Sequence, residues 1–226
     1  MLSNQITYKI IDRITDYILP GKITSLVGGG GKTSTMLQMA KELVTMKEGQ
    51  EAYKVIMTTT TRIKPFEETL PKGVQCIGLE KEEGKLGPVE KPDDLKKQCD
   101  YLLIEADGSH GLPVKIPASH EPVITEKTDL VIAVMGLSGI GKPIGQVSHR
   151  RSLVCNFLHK KSSDFFTEED AAKIILSEMG LKKGVGDRRY AVILNQADDE
   201  TKIEIGKKIQ SFLPEEIICL MTSYEI

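Results

Sequence analysis

Tryptophan is absent from the sequence, and aromatic residues make up only 5% of it, too few for a platform on which nucleic-acid bases could stack. Charge does not take its place. Thirty Lys and Arg stand against 32 Asp and Glu, a formal net charge of −2, so there is no basic footprint for nucleic acid or acidic lipid. No apolar run approaches the length that spans a bilayer. The four cysteines, Cys76, Cys99, Cys155 and Cys219, lie far apart with no C-x-x-C pair, as free thiols packed like small apolar side chains do. With no secretory leader at the start, the expectation is a cytoplasmic protein that takes neither nucleic acid nor a membrane as partner.

What is present suits a globular chain: 226 residues, 40% apolar and 27% charged, enough for one large core. Short apolar runs at residues 23–27, 53–58, 101–104, 129–135, 190–194 and 217–221 read as buried strands, with a shorter one at 75–79. Helical patterns stand between several of them, at residues 32–46, 167–179 and 199–212, and another at 8–19 places Ile10, Ile11, Ile14 and Ile18 on one face. The alternation predicts an α/β fold: a three-layer, Rossmann-like P-loop NTPase architecture with a mainly parallel sheet flanked by helices, residues 1–226 forming a single nucleotide-binding domain. Residues 80–92, rich in Lys, Glu, Gly and Pro, read as an exposed loop or hairpin.

The chemistry centres on Gly28-Gly29-Gly30-Gly31-Lys32-Thr33-Ser34, set between the first strand and a helix. Glycines let successive N–H groups curl around an anion, and the helix that follows aims its positive end at the same group. Lys32 is expected to reach the β- and γ-phosphates of a nucleotide, and Thr33 to take a place on Mg²⁺. The usual spacing requires a glycine where this chain has Leu26; the shorter form Gly28-x-x-Gly31-Lys32-Thr33 fits instead. A second Gly-Lys pair, Gly141-Lys142, is followed by Pro143 and opens no helix pattern, so it is not a second phosphate loop.

Other strand ends carry polar residues where open α/β sheets bind ligands. Thr58, Thr59, Thr60 and Thr61 precede Arg62. Their hydroxyls suit Mg²⁺ or its waters and Arg62 suits a phosphate, although threonine is also an ordinary strand residue. Glu105 and Asp107 end an apolar strand, the place of the acids that serve a nucleotide's metal; Asp107 is assigned to Mg²⁺ beside Thr33, and Glu105 to orienting the attacking group. Asn195-Gln196-Ala197-Asp198 resembles the Asn-Lys-x-Asp base-recognition motif with Gln for Lys, so Asn195 and Asp198 favour GTP over ATP; the plainer reading is a polar turn capping the next helix. Ser109, Lys115, His120, His149 and Arg150 are candidates for a second substrate. Asp107, His110 and His120 lack any zinc-type spacing.

Taken together and in order, Val-Gly-Gly-Gly-Gly-Lys-Thr, Thr-Thr-Thr-Thr-Arg-Ile, Glu-Ala-Asp-Gly-Ser-x-Gly, His-Glu-Pro-Val-Ile, Gly-Lys-Pro and Leu-Asn-Gln-Ala-Asp make the chain resemble the selenium-dependent hydroxylase accessory proteins, the YqeC-type selenium cofactor biosynthesis family. Gly29 stands where that family commonly has Ala, a change expected to be tolerated, and His110 where Arg is frequent. The resemblance implies a nucleotide-binding accessory protein in the maturation of molybdenum hydroxylases that carry a labile selenium cofactor. Its expected partners are a selenium or molybdenum cofactor intermediate and a hydroxylase or insertion protein. Three activities fit: an NTPase or phosphoryl- or nucleotidyl-transferring enzyme, a nucleotide-gated switch or carrier, and an ATP-dependent ligase, the last disfavoured because little length is left for a substrate domain.

Overall fold

Seven parallel strands form the central sheet: β1 (Ile23–Gly28), β2 (Val55–Thr59), β3 (Val74–Cys76), β4 (Tyr101–Glu105), β5 (Leu130–Gly136), β6 (Arg189–Asn195) and β7 (Ile218–Thr222), in the order β7-β6-β5-β1-β4-β2-β3. They belong to a computed structural model that describes residues 10–48, 51–61, 70–81 and 85–224. The central strands are buried throughout, β1 and β5 over every residue, which is why they read as continuous apolar runs rather than alternating ones.

Alternate residues serve opposite faces. Leu26, Leu103, Ile132 and Val134 pack with Met36, Met39, Ala40 and Leu43 of α1 (Lys32–Thr45). Val27, Val131, Ala133 and Met135 face the other way, against a group that includes Ile174 and Ile175 of α4 (Glu168–Leu176) and Ile209 of α5 (Glu200–Ser211). The result is the three-layer α/β arrangement expected from the alternation of patterns. Thr167 caps α4 in a reciprocal capping box with Asp170, and Asp199 caps α5 by accepting the Lys202 N–H at 2.8 Å. Two short helices, α2 (Ile144–Val147) and α3 (Arg151–Leu158), lie between β5 and α4. A small antiparallel hairpin, Leu79–Lys81 with Lys85–Gly87, occupies the Lys- and Glu-rich stretch, as expected. Among the described residues no helix is long and apolar enough to cross a membrane.

The helix expected over residues 8–19 is not there among its described residues. Ile10 bridges to Met221, the Ile11 N–H donates to the Met221 carbonyl at 3.1 Å, and only a 3₁₀ turn at Ile14–Asp16 follows. The apolar spacing was informative about burial, since Ile11, Ile14 and Ile18 do enter the core. It did not fix the backbone, because Glu42 of α1 captures the donors: its buried carboxylate accepts from Ile14 N–H at 3.1 Å and Thr15 N–H at 2.8 Å. Glu42→Ala strands both donors, and chemical denaturation should register a loss of about 1.5–3 kcal/mol, the range for hydrogen bonds to a charged group. An unchanged midpoint would show that Glu42 does not hold this segment.

Candidate functional site

The strand order departs in opposite directions from β1, through β4, β2 and β3 on one side and β5, β6 and β7 on the other. The carboxyl edge at such a switch point is where open α/β sheets form a crevice. Here β1 runs into the four glycines, β4 into Glu105, Ala106 and Asp107, and β5 into Gly136.

Gly30 and Gly31 hold φ values of +77° and +124°, backbone that side chains resist. A Cβ on Gly30 would collide with the Gly136 backbone, and one on Gly31 with Asn195 Nδ2. Asn195, at the end of β6, donates from Nδ2 to the Gly30 carbonyl at 2.9 Å, while its Oδ1 accepts from Thr222 Oγ1 of β7 at 3.0 Å. Two strand ends thus brace the loop. Helix α1 begins at Lys32 with no side-chain cap. The N–H groups of a first helical turn have no partner within the helix, and they sit at its positive end.

The charged groups beside the loop form one alternating chain. Lys32, 3% exposed, folds back to donate to the Gly28 carbonyl at 2.7 Å and lies 3.3 Å from Asp107 Oδ1 and 3.8 Å from Glu105 Oε1. Asp107 also accepts the Gly28 N–H, at 3.1 Å to each oxygen, and meets Lys115 at 3.0 Å. Lys115, whose side chain is wholly buried, continues to Glu121 at 3.1 Å and to the Gly108 carbonyl at 2.7 Å. Glu121 then pairs with Arg150 at 3.1 Å.

Thr33 belongs to the other acid: its Oγ1 donates to Glu105 Oε2 at 2.6 Å. The acid that meets the Thr33 hydroxyl is therefore Glu105, where Asp107 was expected. Asp107 lies beyond the end of β4, curls back onto the Gly28 N–H and is occupied by two lysines. Glu105, the last strand residue, remains beside the Thr33 hydroxyl and offers the hard oxygen pair a Mg²⁺ ion needs from protein. Burial pushes the Glu105 carboxyl above its ordinary range, and Asp107 adds to the rise; Lys32, the Thr33 hydroxyl and Lys115 act the other way without cancelling it.

The hydroxyls of Thr58 and Thr59, the last two residues of β2, and of Thr60 after it all donate to backbone carbonyls. Thr58 Oγ1 donates to the Ile77 carbonyl at 2.7 Å, Thr59 Oγ1 to the Glu105 carbonyl at 3.1 Å and Thr60 Oγ1 to the Val123 carbonyl at 3.3 Å. Thr59 through its hydroxyl and Thr60 through its N–H both reach the Glu105 carbonyl and so fasten the end of β4. Arg62 lies outside the described residues. Asp198 is exposed, accepts from Ser223 Oγ at 2.6 Å and pairs with Lys202 at 3.2 Å. Ser34 stands half-buried on the first turn of α1, and His120 is exposed. Ser109 engages through its carbonyl, which accepts the Leu112 N–H.

Beyond Lys115 opens a cavity of about 520 Å³ lined by Thr61, Pro88, Gly108, His110, Glu121, His149 and Arg150. The rings of His110 and His149 stack with centroids 4.7 Å apart. Burial, together with Lys115, Arg150 and His110, brings His149 down to about 4 against the pull of Glu121, so its imidazole is neutral at pH 7. Burial, the largest influence on Glu121, raises it, but Lys115, the Ala118 N–H and Arg150 together outweigh burial and hold this carboxyl at about 2. His149 titrates at an ordinary 6.5 when unfolded, so between there and about 4 the unfolded chain binds the extra proton. Stability therefore falls as pH drops through that window. Thermal melts from pH 7 to 4 should show a shallower decline for His149→Gln than for the unaltered chain; parallel curves would contradict the assignment.

Sequence reasoning placed Lys115, His149 and Arg150 near a substrate without seeing the bridge that Lys115 makes. It also missed Leu112 and Pro113, whose carbonyls crowd Gly29: a Cβ there would strike the Leu112 oxygen. The absence of a Cβ at Gly29 is what lets the Leu112 and Pro113 backbone come this close. That segment has no regular period and gave no signal in advance.

A family model described as YqeC protein matches residues 24–152, more than half the chain. The chain is also 29% identical over 213 residues to the uncharacterized protein YqeC of Escherichia coli (strain K12), covering 83% of this chain and 81% of that protein. No solved structure matches it.

Proposed function

The chain belongs to the YqeC family, and from that premise we propose that it binds a Mg²⁺–nucleoside triphosphate on the glycine loop and works as an accessory protein, an NTPase or phosphoryl- or nucleotidyl-transferring enzyme, in the maturation of selenium-dependent molybdenum hydroxylases. One observation carries the nucleotide reading. An uncapped 14-residue helix starts at the end of a positive-φ glycine loop, with Lys32 and the Thr33–Glu105 pair on its first turn. The pathway rests on the sequence resemblance to that family.

In this reading the loop and helix N–H groups hold the phosphates, and Lys32 leaves the Gly28 carbonyl to neutralise phosphate charge. Thr33 and Glu105 hold the Mg²⁺, which when bound offsets charge on the phosphates. Asp107 keeps Lys32 and Lys115 aligned through its two oxygens. Steady-state turnover of ATP and GTP tests the enzymatic claim, alone and with hydroxylase or insertion partners. Turnover that disappears in Lys32→Ala is the expected result; no turnover of any NTP under either condition would sink it.

A second reading, a nucleotide-gated switch or carrier, is favoured by the Asn195–Gly30 bond, which ties the late strand end to the loop. Unequal partner affinity for the GTP- and GDP-loaded forms would support it, and equal affinity would count against it. For the base, Asp198 projects at the surface beside Ser223, and GTP is expected over ATP. Asp198→Asn should lower the GTP/ATP affinity ratio by about tenfold, the loss of hydrogen bonds to a charged acceptor. An unchanged ratio in competition titration would remove Asp198 from base recognition.

A further inference from the structure

Between the glycine loop and the cavity stands a run of buried charges: Asp107 on the Gly28 N–H, then Lys115, then Glu121 on the cavity wall. Lys115 touches Asp107 on one side and Glu121 on the other, at 3.0 and 3.1 Å. At about 520 Å³ the cavity is of a size that takes a small molecule. Its polar lining is unusual in two respects. Arg150 and His110 both stand at positive φ, +55° and +52°, a backbone strain that persists where surrounding structure imposes it. The Arg150 bond to Glu121 engages Nη2, and among the described residues no other group accepts from this guanidinium, so the rest of its planar fork is open for an oxyanion.

We infer that this cavity is the acceptor subsite, and that the molecule meeting the nucleotide across Lys115 is a small compound carrying an oxyanion group that docks on Arg150 beside the His110–His149 stack. The inference rests on the nucleotide reading only in calling the ligand an acceptor. The open part of the Arg150 fork is what favours an anion, since the Lys115 charge is also offset by Asp107. Lys115 and Arg150 are cations, Glu121 is one carboxylate shared between them, and both cations lower His149, which lines the cavity beside Arg150. An anion seated there opposes the two cations that hold His149 down. Binding should therefore draw a proton onto its ring.

The chain has four histidines, His110, His120, His149 and His159, few enough for their ring signals to be assigned by single substitutions. The probes are sulfate, which keeps its double charge across the pH range, and acetate, which presents a carboxylate. Both are titrated into the full chain without nucleotide and followed by NMR of the imidazole signals. With saturating anion the His149 midpoint should rise by about one pH unit, as a neighbouring opposite charge produces. Arg150→Gln should weaken the anion about tenfold through loss of a charge-assisted contact and abolish the rise. Arg150→Lys should restore part of both. The stronger of the two anions identifies the docking group.

Anion binding that leaves the His149 signal unmoved would overturn the inference. So would binding that is insensitive to Arg150→Gln but lost in Lys32→Ala, because that places the anion on the glycine loop. Mg²⁺–nucleotide affinity, measured in parallel on the same Arg150 variants, should stay within about twofold, since no nucleotide contact is assigned to Arg150. Failure of nucleotide binding leaves the anion result standing, and failure of the anion result leaves nucleotide binding untouched.

Discussion

Replacing Lys115 by methionine is expected to cost about 3–5 kcal/mol of stability, the range for removing one partner of a buried ion pair. The side chain is wholly buried between Asp107 and Glu121, both of them also buried. Its loss leaves Asp107 with only Lys32 and Glu121 with only Arg150, one positive charge short in surroundings too dry to screen the deficit. Methionine fills much of the same volume, so packing is a small part of the effect. Adding Glu121→Gln to the variant should recover part of the loss by removing the excess negative charge of the cluster. Urea midpoints for the single and double variants decide the matter. A single variant within 1 kcal/mol of the unaltered chain, about the worth of a surface pair, would show that the bridge is not a determinant of the fold.

The second large effect is expected at Glu105. Glu105→Gln keeps the shape and a partner for the Thr33 hydroxyl while removing the charge that would meet Mg²⁺. Burial already holds this carboxyl above its ordinary range, and a bound divalent cation would relieve that cost. The variant should therefore lose about 10- to 100-fold in Mg²⁺-dependent nucleotide affinity, comparable to removing a supporting partner of a metal site. Binding of the nucleotide in the presence of EDTA should be little changed. Asp107→Asn separates the two acids: its effect should fall on Lys32 and Lys115, and so appear equally with and without Mg²⁺. If Mg²⁺ dependence follows Asp107 instead, the Thr33–Glu105 assignment is wrong.

Much of this was legible in the sequence, for identifiable reasons. Buried parallel strands declare themselves as apolar runs, and the seven expected runs correspond to the seven strands of the sheet. The glycine loop was visible because a turn between strand and helix demands positive φ, which Gly30 and Gly31 supply. Residues 10–19 were misread because a spacing of buried isoleucines states which side chains enter the core and not where the N–H groups go; a carboxylate on another helix, Glu42, decided that. Which of Glu105 and Asp107 meets the Thr33 hydroxyl was equally hidden. Both acids stand at the end of one apolar run, but the turn after β4 carries Asp107 back to the Gly28 N–H and to two lysines. The carbonyls to which the Thr58, Thr59 and Thr60 hydroxyls donate were also invisible in the sequence, since they come from three other segments of the chain.

The central claim is that the glycine loop holds the phosphates of a Mg²⁺–nucleotide through Lys32. Calorimetric titration of the full chain with Mg²⁺–GTP and Mg²⁺–ATP, alongside Lys32→Ala, tests it most directly. Saturable one-to-one binding that weakens by about 100-fold in the variant, the loss of a charge-assisted contact of about 3 kcal/mol, is the predicted result. No binding of either nucleotide, or equal binding by the variant, would contradict it.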